Sequence, residues 1–300
     1  MKEKVAILGA TGLIGTSVTS LFLDREVEVM ACSKNGGNIN GLEVNPIDVS
    51  RDGELSSWLK NKKINAIIYL SSKIPNSFSE ADWNLFGYNL KMHKQVLNCW
   101  KEHEFHLIYA SSCSAYGPHS RLPWKEENVA FPNNYYSASK LVGEILFYQE
   151  YLNRELPLTI LRINAPYGVY TKRKTVINIF IERALRDENL MLFGSGNRKQ
   201  DFIYVSDVAN AFLKAYLNRK LGIYNIASGT TVTMKELADI IINLTKSSSE
   251  ITYSGEQDPQ EGFQVNIDIS NAIKELGFGL EYSLEEGLNE CILRYDQKKS

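Results

Sequence analysis

The chain has little that would tie it to a membrane, a metal or a nucleic acid. No uninterrupted apolar run reaches the roughly 18 residues that a spanning helix needs. The N-terminus, MKEKVAILGATG, enters a strand-like run at once and shows no cleavage pattern of a secretory signal. Cysteine is sparse: Cys32, Cys99, Cys113 and Cys291 contain no C-x-x-C pair, so free thiols are expected rather than a disulfide framework. Histidine is as sparse, and His93, His103, His106 and His119 form no H-E-x-x-H or H-x-H cluster, so nothing argues for a metal. Lys plus Arg number 33 against 35 Asp plus Glu, and a net charge of −2 offers no general attraction to nucleic acid or an anionic bilayer. No repeat of about 20–50 residues and no low-complexity linker is visible. The expectation is a cytoplasmic globular protein. With 300 residues, 44% hydrophobic and 23% charged, the chain can bury a large core without disulfides, as one large domain or two small ones.

What is present is an alternation of short apolar runs with helical patterns. Strands are predicted over 4–9, 27–32, 65–70, 106–111 and 158–163. Helices are predicted over 13–24, 51–60, 82–103 and 135–153. Such alternation means crossover connections and a parallel sheet with helices on both faces. After about Pro166 the pieces shorten and Gly, Asn and charged residues become more frequent. Helical runs recur over 207–218, 234–245 and 284–294. Residues 1–165 are read as one domain, with a strand and helix from 200–226 available to return to it, and residues 166–300 mainly as a smaller irregular lobe.

The first strand runs into Gly9-Ala-Thr-Gly12-Leu-Ile-Gly15, which opens the first helix. Gly9 permits a tight turn, Gly12 lets backbone approach a pyrophosphate, and Gly15 lets the helix pack against the sheet. The helix N-terminus then offers free N–H groups to the anion. Thr11, Leu13 and Ile14 belong to the same dinucleotide-binding turn. The second strand ends Cys32-Ser33-Lys34, with no acid to accept from a ribose hydroxyl. Ser33 as donor and Lys34 as cation suit a 2′-phosphate, so NADP is favoured over NAD, unless Lys34 is a solvated loop lysine. Asp48-Val49 either flanks the adenine or places Asp48 as the cap of the 51–60 helix.

Tyr136 and Lys140 stand at i and i+4 on one predicted helix face. An ammonium beside a phenol favours phenolate, so Lys140 is expected to lower the Tyr136 pKa and ready it for proton transfer at neutral pH. Upstream, Tyr109-Ala-Ser-Ser-Cys-Ser-Ala-Tyr-Gly117 places hydroxyls at the carboxyl end of a predicted parallel strand, the edge where open α/β sheets bind ligands. Ser112 is read as a hydrogen-bond donor to the substrate oxygen, and Ser111 as a strand-end cap.

Glycine turn, serine strand and Tyr-Lys helix together resemble the extended short-chain dehydrogenase/reductase family, in its nucleotide-sugar epimerase/dehydratase branch. Four further segments resemble it: 161–168 (LRINAPYG), 193–209 (FGSGNRKQDFIYVSDVA), 224–229 and 283–287. The resemblance implies a Rossmann-type doubly wound parallel sheet with a smaller irregular C-terminal substrate lobe. It implies that Tyr136 is the acid/base, Lys140 its partner and ribose ligand, and Ser112 the catalytic hydroxyl. Leu70, Ser71 and Asn89 fall on the cofactor side, and Asn164 near the sugar and diphosphate; apart from the resemblance, Ser114, Arg173 and Arg198 are candidate substrate contacts of this chain. A homodimer through the tyrosine helix and the long helix before the serine strand is also implied.

Three departures sharpen the expectation. The Asp-Glu pair that follows the catalytic residue in dehydratases is here Cys113-Ser114, which argues against 4,6-dehydration. Gln200 replaces an arginine that commonly faces the diphosphate, leaving Arg198, Lys199 or the Lys172-Arg173-Lys174 run to supply charge. The segment 258–262 lacks the arginine often found there. Strand alternation turns Cys113 from the site, so it is read as a small buried residue. The favoured activity is reduction of a 4-keto nucleotide sugar, with NAD-dependent 4-epimerisation as the alternative and non-catalytic dinucleotide sensing as a third.

Overall fold

Along β1 (Lys4–Leu8), Val5 and Ile7 face one layer and Ala6 and Leu8 the other, and all four are fully buried, so both faces of the sheet need cover. The computed structural model describes residues 4–75, 82–170 and 173–297. After β1 come α1 (Leu13–Asp24), β2 (Glu28–Ser33), β3 (Gly37–Ile39), β4 (Leu42–Pro46), α2 (Glu54–Leu59) and β5 (Ala66–Tyr69). The long α3 (Trp83–Glu102), β6 (His106–Ser112), α4 (Tyr135–Arg154) and β7 (Leu158–Ile163) follow. The remainder holds β8 (Pro166–Tyr167), α5 (Val176–Ala184), β9 (Leu190–Leu192), β10 (Lys199–Gln200), β11 (Ile203–Tyr204), α6 (Val205–Asn218) and β12 (Gly222–Ile226). It ends with β13 (Val232–Thr233), α7 (Met234–Thr245), β14 (Ile251–Tyr253) and α8 (Leu284–Gln297).

The main sheet has eight strands in the order β12-β7-β6-β5-β1-β2-β4-β3, parallel throughout except for the β3–β4 hairpin. It is the expected doubly wound, Rossmann-type sheet. One face is covered by α1 and α6 around Val18, Phe22 and Phe212. The other is covered by α2, α3 and α4 around Trp58, Val96, Trp100 and Phe147. Strand order reverses between β1 and β5, so the carboxyl ends of these two strands open a crevice, the place where such sheets take ligands. Short pairs β8–β11, β9–β14 and β10–β13, with α5, α7 and α8, build a smaller lobe around Ile181, Leu237 and Leu288.

Several elements differ from the sequence reading, the short strands of the smaller lobe among them. The 51–60 helix shrinks to Glu54–Leu59 because Gly53 takes φ +77 and starts it late. The β3–β4 hairpin was missed, although Asn40-Gly41 carries the positive φ pair (48 and 86) of a tight hairpin turn. Helix α5 was also missed; it starts at Thr175, whose side chain accepts from Asn178 N.

Candidate active site

The glycine turn is built for an anion. Gly9 has φ +89, and a Cβ there would stand 2.8 Å from Ser71 N. A Cβ on Gly15 would stand 2.2 Å from Gly9 O, so the helix can approach the turn only as glycine. At Gly12 the nearest atom to such a Cβ is Gly9 O at 3.4 Å. Gly12 is also the N-cap of α1, with no side-chain cap and no acidic residue in the first turn. The positive end of α1 therefore carries no cap and no acid of its own first turn, which fits the pyrophosphate of a nicotinamide dinucleotide. Leu13 and Ile14 pack their side chains toward the smaller lobe, so only their backbone belongs to the turn. The Thr11 methyl lies against Gly37 of the β3–β4 hairpin. Leu70 N donates to Leu8 O at 2.9 Å, and Ser71 lies directly over Gly9, beside the glycine turn.

At the end of β2 the side chains are already engaged. Ser33 Oγ donates to Gly36 O at 3.2 Å. Lys34 Nζ is 3.0 Å from Asp48 Oδ2 and donates to Tyr88 OH at 3.2 Å. Asp48 Oδ1 also accepts from Ser50 Oγ at 2.6 Å and Tyr88 OH at 3.0 Å. Although burial opposes it, these donors hold the Asp48 carboxyl well below the usual carboxylate range. Asp48 does not cap α2. Its own N–H donates to Glu54 Oε2 at 2.8 Å instead. Val49 is 3% exposed and packs in the core with Leu55 and Trp58.

The expected Tyr-Lys-Ser group converges at the end of β6. Lys140 is buried; its Nζ donates to Ala110 O at 2.8 Å and lies 5.9 Å from the Tyr136 ring centre. Ser112 Oγ lies 2.9 Å from Ser114 Oγ and accepts from Ser114 N at 3.2 Å, so it also caps the 3-10 turn Cys113–Tyr116. The charge relation runs against expectation. Burial pushes the half-buried Tyr136 phenol up to about 12, and the charge that pulls it back is Arg173, not Lys140. Lys140 is itself pulled down to about 7 by burial, against the raising effect of Glu144.

A buried polar layer underlies this group. Asn89 accepts from Lys73 N at 2.8 Å and donates to Ser139 Oγ at 3.0 Å, tying α3 and the β5 loop to α4. His93 Nε2 donates to Ser139 O at 3.0 Å, so Nδ1 accepts from Tyr69 OH at 2.9 Å; burial keeps this ring neutral, at about 3. Glu144, one turn beyond Lys140, pairs with Arg162 of β7 at 2.7 Å and accepts from Ser111 Oγ. Ser111 is thus tied to the helix and does not cap the strand. Cys113 is fully buried and its Sγ donates to Arg162 O at 3.1 Å, and burial raises its thiol pKa strongly. Its burial does not come from strand alternation, because β6 ends at Ser112 and Cys113 begins the 3-10 turn.

Other expected residues divide. Asn164 Nδ2 donates to Asp201 O at 2.7 Å and lies 3.5 Å from Gln200 Oε1, which brings 164 and 200 together. Arg198 Nε is 2.6 Å from Asp258 Oδ2, so its charge is matched within the lobe. Arg173 donates to Pro75 O across the crevice mouth. Lys172 lies outside the described residues. Two cavities of about 500 Å³ line the α1–α6–α8 side and the 280–286 segment, and neither reaches Ser112, Tyr136 or Lys140. Sequence reading missed Ser137, Glu144 and Tyr88. Glu144 was legible as the third member of the i, i+4, i+8 face of Tyr136; Tyr88 had no local signal.

Residues 5–227 match the profile of the NAD dependent epimerase/dehydratase family. A Methanocaldococcus jannaschii protein provisionally named a UDP-glucose 4-epimerase is 30% identical, covering 96% of this chain and 97% of the relative. The Escherichia coli dTDP-4-dehydro-6-deoxyglucose reductase is 26% identical, covering 97% of each. The fold is shared with a Thermotoga maritima UDP-glucose 4-epimerase solved with UDP-glucose, at a TM-score of 0.90 and 21% identity over 99% of this chain and 100% of that one. The chain is an enzyme of the NAD dependent epimerase/dehydratase family.

Proposed function

We propose that the protein catalyses hydride transfer at C4 of a nucleotide-activated sugar. The observation that supports this reading is the tie between α4 and the end of β6: Lys140 Nζ, 5.9 Å from the Tyr136 ring, donates to Ala110 O, and Ser137, next to Tyr136, joins Ser112 through Ser114. A nicotinamide dinucleotide held on that turn supplies or accepts the hydride. Tyr136 exchanges the proton with the C4 oxygen. Ser112 donates a hydrogen bond to that oxygen as charge builds on it. Lys140, in ammonium form, holds the ribose. Asn164, Ser114, Arg173 and Arg198 lie toward the sugar and diphosphate, with Arg198 first giving up Asp258. Cys113 and Ser114 provide no acid–base pair for loss of water.

The first reading is NADPH-dependent reduction of a 4-keto sugar, because no acid stands at Ser33 or Lys34 and Lys34 is exposed enough to exchange partners. A second reading, NAD-dependent 4-epimerisation, is favoured by one observation: Lys34 already has Asp48 as its anion. Releasing bound nucleotide by denaturation separates them. A reductase emerges empty and oxidises NADPH only with a 4-keto-6-deoxy nucleotide sugar. An epimerase releases NAD and interconverts UDP-glucose and UDP-galactose without added cofactor. In either case Tyr136→Phe lowers turnover at least about 100-fold, and near-normal turnover defeats the assignment. We also propose a homodimer through the outer faces of α3 and α4, where Leu90, Ile145, Tyr148 and Leu152 are exposed.

A further inference from the structure

Behind the substrate edge of β6 stand three hydroxyls in line. Ser137, fully buried in the first turn of α4, donates through Oγ to Ser114 Oγ at 2.8 Å. Ser114 Oγ is 2.9 Å from Ser112 Oγ, and Ser114 N–H donates to Ser112 Oγ at 3.2 Å. The backbone N–H of Ser137 is itself fixed by Asn134 Oδ1 at 2.9 Å, which sets the start of the helix.

A hydroxyl has one proton to give and two lone pairs to fill. Ser137 gives its proton to Ser114. Ser114 keeps its own proton, and the oxygen in line to receive it is Ser112 Oγ. The 2.9 Å contact between the Ser112 and Ser114 hydroxyls can carry a proton in either direction; run from Ser114, it leaves Ser112 Oγ accepting from both the N–H and the hydroxyl of Ser114. With both lone pairs engaged on the turn side, its proton is left to point toward the crevice.

We propose that Ser137 and Ser114 are positioning residues that form a one-way donor chain, Ser137 to Ser114 to Ser112, and so hold the Ser112 proton toward the substrate oxygen. Which oxygen receives it rests on the proposed C4 chemistry; the direction of the chain does not. The orientation serves both directions of hydride transfer, because the C4 oxygen carries developing negative charge in each. A donor set before the reaction needs no reorientation during it. The chain also links the serine edge to the helix that carries Tyr136, so the two groups that meet one substrate atom share a common support.

Two measurements test this. Neutron diffraction from perdeuterated crystals of the whole, cofactor-free chain should show deuterons pointing from Ser137 to Ser114 and from Ser114 to Ser112. The reverse order overturns the proposal whatever the substrate proves to be. Turnover is then followed with two probes, NADPH with a 4-keto-6-deoxy nucleotide sugar, and UDP-glucose. Ser137→Ala should lower kcat about five- to tenfold with KM little changed, and Ser137→Thr should restore it. In a Ser112→Ala background, Ser137→Ala should have no further effect; an equal loss in both backgrounds marks a merely structural serine and overturns the proposal. Absence of wild-type turnover with either probe defeats the C4 reading and leaves the chain to be judged on the deuteron positions.

Discussion

Replacing Arg162 by methionine leaves the Glu144 carboxylate buried without its counter-ion. The pair is almost fully enclosed, with side-chain exposures of 5% and 4%. Arg162 contacts Glu144 three times, Nε to Oε1 at 3.0 Å, Nε to Oε2 at 3.2 Å and Nη2 to Oε2 at 2.7 Å. Its guanidinium also lies 4.7 Å over the Tyr116 ring and donates to Glu126 O at 3.3 Å. After substitution Glu144 keeps the Ser111 hydroxyl as a donor. Removing one partner of such a pair costs about 3–5 kcal/mol, whereas replacing both by apolar side chains is often close to neutral. Against a typical total of about 5–15 kcal/mol, the single change takes a large share of the stability. Arg162→Met should therefore lower the urea midpoint strongly at constant m, and Arg162→Met with Glu144→Leu should recover most of the loss. Circular dichroism at pH 7 reads both. A single-variant cost below about 1 kcal/mol, or a double variant weaker than the single, refutes the view that this charge pair is a matched, desolvated unit beneath the Tyr-Lys helix.

The glycine turn separates folding from binding: Gly12→Ala meets only Gly9 O at 3.4 Å, so it should fold within about 1 kcal/mol of wild type yet lose dinucleotide binding by calorimetry. Gly15→Ala, whose Cβ would stand 2.2 Å from Gly9 O, should lose both. Lys140 titrates at about 7 in the folded chain against the ordinary lysine value of 10.5, so the unfolded chain binds more protons between these limits and stability rises with pH across that window. Lys140→Met should accordingly exceed wild type in stability below pH 7, by about 1.4 kcal/mol for each pH unit separating the two values, with the gap closing toward pH 10. Wild-type turnover, which needs the ammonium, should fall as pH rises through 7; a flat profile from 6 to 9 counts against the role of Lys140. Ile145→Glu with Tyr148→Glu should convert a dimer to monomer in sedimentation velocity, since both side chains lie on the outer face of α4.

What the sequence disclosed was local or periodic. Gly9, Gly12 and Gly15 mark one turn within seven residues; Tyr136 and Lys140 share a helix face by spacing alone; β1, β5, β6 and β7 announce themselves as unbroken apolar runs because both faces of their sheet are buried. What it concealed was which charge meets which. Lys34 read as free for a phosphate, yet Asp48, brought alongside by the pairing of β2 with β4, neutralises it. Arg198 read as a diphosphate ligand, yet it closes onto Asp258 sixty residues on. The acidity of Tyr136 read as a matter for its helix neighbour, yet burial dominates it and the compensating charge comes from Arg173 in another loop. Periodicity fixes the face on which a side chain stands but not the group opposite it, because that group arrives from another element at a distance no local pattern encodes. For this chain the consequence falls on cofactor choice. The β2 motif alone argues for NADP. The same lysine seen with its anion shows that a 2′-phosphate must displace a carboxylate held ionised by Ser50 and Tyr88. On the proposed reading, the 2′-phosphate of NADP and the Asp48 carboxylate would compete for one exposed ammonium.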